Sequence, residues 1–102
     1  MSINSELKTK ITFVVNNIDE CWEKLITNQL DEAMKILDKI FIDFDYIINV
    51  STKENIAIDI QKIYSWFVEM EKCLKAKDYT LQADILRYEI KPIINKVVIG
   101  VK

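Results

Sequence analysis

The chain has 102 residues, half of them hydrophobic, with 16 acidic and 14 basic side chains, a formal charge of −2 and no histidine. This length fits one domain, residues 1–102. The missing imidazole excludes the Ser-His and Cys-His nucleophile systems and the most common metal ligand. No segment collects the positive charge that phosphate binding needs, and Arg87 is the sole arginine, so no nucleic-acid partner is expected.

The apolar residues are spread out, in runs far short of the ~20 that span a bilayer, so no membrane association is expected. The opening MSINSELKTKI lacks a basic cluster leading into an apolar core, so no signal peptide is expected and the cytoplasm is the expected location. Lys and Ile stand where Arg and Leu could serve, which suits an AT-rich bacterial genome. Cys21 and Cys73 both fall on or beside apolar stripes, with no CxxC motif near either. Two buried thiols are expected; a disulfide is allowed by count but has no support from spacing.

In chain order, residues 1–4 are expected to fray and Ser5 to cap a first helix over about 5–27. Its stripe is Leu7, Ile11, Val14, Ile18, Cys21 and Leu25, in steps of four and three, widened by Val15 and Trp22. Thr27 and Asn28 compete for backbone hydrogen bonds and end it. A second helix over about 31–50 carries Leu30, Ala33, Leu37, Ile40, Phe44 and Ile47. Residues 41–46 also alternate with the period of a strand, but a lone strand among helices would have no partner. Ile36, Ile42, Tyr46 and Val50 lie off the stripe and form a candidate interface. The polar run Ser51-Thr52-Lys53-Glu54-Asn55 reads as a linker, with Ser51 or Thr52 capping a third helix over about 54–76. Its stripe is Ile56, Ile60, Ile63, Phe67, Met70 and Leu74. Asp78 caps a fourth helix over about 79–98, with Tyr79, Ala83, Leu86, Ile90, Ile93 and Val97 on its stripe. Pro92 predicts a kink there, fitted to a packed seam, and Gly100 a stop.

The expected fold is therefore all-α: a four-helix bundle made of two αα-hairpins, its last helix kinked at Pro92. Asn28, Ala33 and Ile40 align with Asp78, Ala83 and Ile90 at constant offset. Three such matches arise by chance in helical proteins, and two generic αα-hairpins are the preferred reading over a repeat.

Lys77-Asp78-Tyr79, Ala83-Asp84, Leu86, Tyr88-Glu89 and Pro92 resemble the C-terminal signature of a family of small uncharacterised helical bacterial proteins. That family has an aromatic residue shortly after the proline, where this chain has Val97 and Val98. The resemblance implies no activity. In size and helical hairpins only, the chain is also similar to flagellar export chaperones such as FliS and FliT.

The residues offer little for catalysis. No Glu-x-x-His pair exists for a di-iron site. Glu20-x-x-Glu23 is half of an all-carboxylate magnesium motif, and no second half follows. Asp43 and Asp45 lack the glycine and closing glutamate of a calcium loop. No catalytic residue, cofactor or metal site is expected, and a metal-dependent carboxylate enzyme ranks last. One polar cluster remains: Asp84, Arg87, Tyr88 and Glu89, in which Asp84 can meet the residues three and four further on. It reads either as a network neutralising a helix–helix seam or as a recognition patch. The functional expectation is a non-enzymatic interaction module that binds itself, as a homodimer, or another protein through an apolar helical face, with a small export-type chaperone or adaptor holding a client helix as the alternative.

Overall fold

Helix α1 (Ile3–Ile26) packs on one side against α2 (Leu30–Lys53) and on the other against the last helix, so it lies at the middle of the assembly. The structure is a computed structural model that describes residues 3–100, with side chains described for residues 5–97. Helix α3 (Ile60–Lys75) packs on the last helix. That helix, α4, spans residues 79–100. It is wound as an α-helix over Tyr79–Asp84, as a π-helix over Ile85–Ile90 and again as an α-helix over Lys91–Gly100. Around the bundle the order is α2, α1, α4, α3. Among the described residues there is no strand, and residues 41–46 belong to α2.

The apolar period explains which faces are buried. Leu7, Ile11, Val14, Ile18, Cys21 and Leu25 of α1 are all buried, as are Ala33, Leu37, Ile40, Phe44 and Ile47 of α2. Each set repeats with the helical period, so each forms one continuous stripe, and the stripes meet in the core. Helix α3 is less committed. Ile63, Met70 and Cys73 are buried, Ile60 and Phe67 are half-buried, and Leu74 is exposed. Helix α4 is apolar over a wide arc because it faces both α1 and α3. Ala83, Ile85, Leu86, Ile90, Ile93, Ile94 and Val97 are all buried there.

The first three helices end in the same way, without glycine. Asn28, Asn55 and Lys77 take left-handed backbone angles, with φ of 62°, 56° and 58°. At each, the next residue's N–H reaches back five residues: Gln29 to Lys24, Ile56 to Ser51 and Asp78 to Cys73, all at 2.8 Å. The left-handed residue itself reaches back three, which completes a Schellman stop. Asparagine tolerates that conformation; lysine has no such excuse. The equivalent positions of the two hairpins are thus Asn28 and Lys77, so the alignment of Asn28 with Asp78 is one residue out of register.

Several boundaries differ from the sequence expectation. The first helix begins before Ser5, so Ser5 sits in its first turn instead of capping it. Helix α2 runs on through Ser51, Thr52 and Lys53, and α3 starts at Ile60, not near 54. Ser51 is fully buried because it continues the stripe one turn beyond Ile47. Its hydroxyl has no hydrogen-bond partner among the described residues. Asn55 stops α2, the half-buried Ile56 and Ile58 pin the connection to the core, and Asp59 caps α3 by accepting the Lys62 N–H at 3.1 Å. Asp78 caps α4 in the same way, on Leu81 N–H at 3.1 Å.

At Pro92 the structure shows a change of winding. In an α-helix the proline ring presses on the carbonyl four residues back. Here the turn before it is π-wound, and the Lys91 N–H bonds the Leu86 carbonyl five residues back. Beyond Pro92 the helix is described through to Gly100.

Candidate interaction face around Tyr88

The polar cluster of α4 points mainly at α1. The sequence spacing sets Asp84 against Arg87 and Tyr88; in the structure Asp84 accepts a hydrogen bond from the indole N–H of Trp22, at 3.5 Å. Arg87 lies over the same indole, 4.1 Å from the ring centre, and its Nε is 4.0 Å from Asp19. Lys91, one turn on, donates to both oxygens of Asp19 at 2.8 and 2.9 Å. Trp22 and Asp19 therefore gather Asp84, Arg87 and Lys91 into one network along the α1–α4 seam. Periodicity within α4 could not identify these partners, because they lie on another helix.

Tyr88 touches that network only through Arg87, whose guanidinium lies 5.9 Å from its ring centre. Tyr88 is 59 % exposed and stands on the ridge between two shallow clefts. The first, about 300 Å³, lies between α3 and α4. Trp66, Leu81, Ile85 and Tyr88 form its apolar walls, and Glu69, Asp84 and Glu89 supply three carboxylates. The second, about 470 Å³, runs along α4 past Tyr88, Pro92 and Asn95 and carries the cations Arg87, Lys91 and Lys96. Leu81 is 49 % exposed and Trp66 is half-buried, so a broad apolar strip surrounds the tyrosine.

The candidate residues of α2 are divided differently. Ile36, Tyr46 and Val50 are half-buried and pack against the core, and of the four only Ile42 is exposed, at 69 %. Tyr46 is held on the α1 side, its hydroxyl donating to Glu6 at 3.2 Å and Lys10 lying 5.6 Å from its ring. Lys10 also pairs with Asp43 at 3.3 Å. On the opposite flank of α2, Phe67 of α3 sits edge-on to Phe41 at 5.0 Å and to Phe44 at 5.4 Å. Helices α2 and α3 meet through these rings, without the close backbone approach that joins α1 to α2.

A family model described as a domain of unknown function (DUF8042) matches residues 5–98. The chain belongs to that family. No curated protein and no solved structure matches it. The DUF8042 span includes all four helical stripes and the whole ridge around Tyr88.

Elsewhere in the DUF8042 domain the reactive groups are quiet. Cys21 is buried and its Sγ donates to the Ala33 carbonyl at 3.5 Å. Burial, with a smaller effect from Glu20, pushes its thiol up to about 12. Burial also raises the Cys73 thiol, helped by Asp78 and Glu69. Both are free thiols. Among the described residues no three His, Cys, Asp or Glu side chains come together as a metal would require. No described helix is long and apolar enough to cross a membrane.

Proposed function

We propose that this protein is an interaction module without catalytic chemistry of its own, and that it acts by associating with a second copy of itself. The observation that carries the reading is the apolar ridge of α4, with Tyr88 59 % and Leu81 49 % exposed beside a half-buried Trp66. Contiguous apolar surface of this kind tends to mark an interface, and closed two-fold dimers are its commonest use. The Lys- and Ile-rich composition and the spread of apolar residues fit a cytoplasmic bacterial protein. Sedimentation equilibrium from low to high micromolar concentration tests the reading. A dimer mass is expected; a monomer throughout the range would end it.

A second reading has its own observation. The α2–α3 seam is bridged by Phe67, and Tyr64, 6.2 Å from Phe67 ring to ring, is 51 % exposed beside it. Exposed apolar surface of that kind would suit an amphipathic helix of a client, as in an export-type chaperone or adaptor. The test is titration with a synthetic helix bearing leucines at i, i+3, i+4 and i+7. Saturable binding that Tyr64→Ser weakens supports this reading, and no binding at high micromolar peptide removes it.

A further inference from the structure

The two clefts beside Tyr88 are opposite in charge and share one wall. On the α3 side the cleft is lined by Glu69, Asp84 and Glu89, and Lys72 pairs with Glu69 at 3.2 Å. On the other side the cleft is lined by Arg87, Lys91 and Lys96, and Lys91 and Arg87 share Asp19. Each cleft thus keeps a surplus of its own sign within one helix face. The exposed Tyr88 is the wall they share, with the exposed Leu81 on the acidic side of it and the exposed Pro92 on the basic side. A two-fold axis turns such a face onto itself so that residue i meets residue j and j meets i. With the axis beside Tyr88, acidic surface meets basic surface twice.

We infer that the two copies dock across α4 about an axis beside Tyr88, the acidic cleft of each receiving the basic cleft of the other. This rests on the self-association proposed above and adds the face and the pairing. The carboxylates and ammonium groups give register and specificity, since a parallel docking would set like charges together. Tyr88 and Leu81 supply the apolar centre, where an aromatic anchor counts most. The exposed Ile42 of α2 lies outside this face and takes no part.

Charge reversal in pairs tests the geometry. Glu89→Lys cancels the charge surplus of the acidic cleft, and Lys96→Glu cancels that of the basic cleft. Each variant alone is expected to dimerise at least ten-fold more weakly than wild type. An equimolar mixture is expected to regain a dimer, because one pair of clefts is then unaltered and the other sets the two exchanged charges against each other across the axis. Ile42→Lys should dimerise as wild type does. Should Glu89→Lys lose its helical circular dichroism, Glu69→Lys on the rim of the same cleft replaces it. A wild-type dimer that both reversals leave intact, or a mixture that stays monomeric, overturns this face while self-association stands. A monomeric wild type overturns both.

Discussion

The guanidinium of Arg87 lies 4.1 Å over the indole ring of Trp22. The same indole donates toward Asp84, so one α1 side chain is held by two residues of α4. A planar, weakly hydrated cation suits this stack better than a compact ammonium does. Arg87 is partly exposed, which keeps the interaction near the lower end of the cation–π range, about 1 kcal/mol. A double-mutant cycle of Arg87→Ala with Trp22→Leu in urea should return a coupling of that size. Arg87→Lys should recover less than half of it. A coupling indistinguishable from zero would show the two side chains to be neighbours only.

Lys77 is the least suitable of the three left-handed residues. With φ of 58° its Cβ crowds the backbone, and neither an asparagine side chain nor a glycine relieves it. Lys77→Gly should therefore stabilise the protein by about 1 kcal/mol, the usual cost of that conformation for an ordinary residue. Asn28→Gly and Asn55→Gly should change stability less, because asparagine already accepts the conformation. Thermal melts of the three variants would rank them. If Lys77→Gly melts below wild type, the turn is not strained as described.

Most of the fold could be read from the period of the apolar residues, because that period decides which face turns inward. Every stripe residue assigned to α1 is buried, including Cys21. The error at Ser51 has the same origin. A serine continues the Ile47 stripe: its polarity suits a linker, but its position is a core position. The π turn leaves no mark on the spacing, since Ile90, Ile93 and Val97 keep helical steps on either reading. Tyr88 could be singled out because it stands in the densest polar cluster. Trp66, Lys91 and Lys96 could not, since membership of the face depends on how α3 and α4 lie together and on which residues the π turn brings outward.

Cys21 should make the protein less stable in alkali. Its thiol is pushed up to about 12 by burial, while an unfolded thiol titrates near ~8.5. Between those values the unfolded chain has released a proton that the folded chain keeps. Stability then falls as pH rises, by up to ~1.4 kcal/mol per pH unit for one such group. Cys73 is raised as well and acts in the same direction. Urea midpoints at pH 8 and pH 10 should differ in wild type and differ less in Cys21→Ala. Equal pH dependence in the two proteins would remove Cys21 as the cause.

Pro92→Ala probes what holds the π turn. A kink fitted to a packed seam predicts a loss of about 1 kcal/mol or more on replacement. The structure leaves the Pro92 ring exposed, so little packing is there to lose. The alanine N–H would gain an acceptor, and the unfolded chain would gain backbone freedom; these two effects oppose each other. The expected change in stability is therefore within about 1 kcal/mol of zero. The winding should also survive. Relaxing the π turn to α would advance everything beyond it by one residue and carry the buried Ile93, Ile94 and Val97 out of the core. Burial of those side chains is worth several times a single backbone hydrogen bond. Amide exchange can follow the Lys91 N–H, which bonds Leu86 in the π turn and would bond Arg87 in an α turn. NMR contacts from Ile94 and Val97 to α1 that match wild type would show that the core keeps the register. Contacts shifted by one residue would assign the winding to the proline.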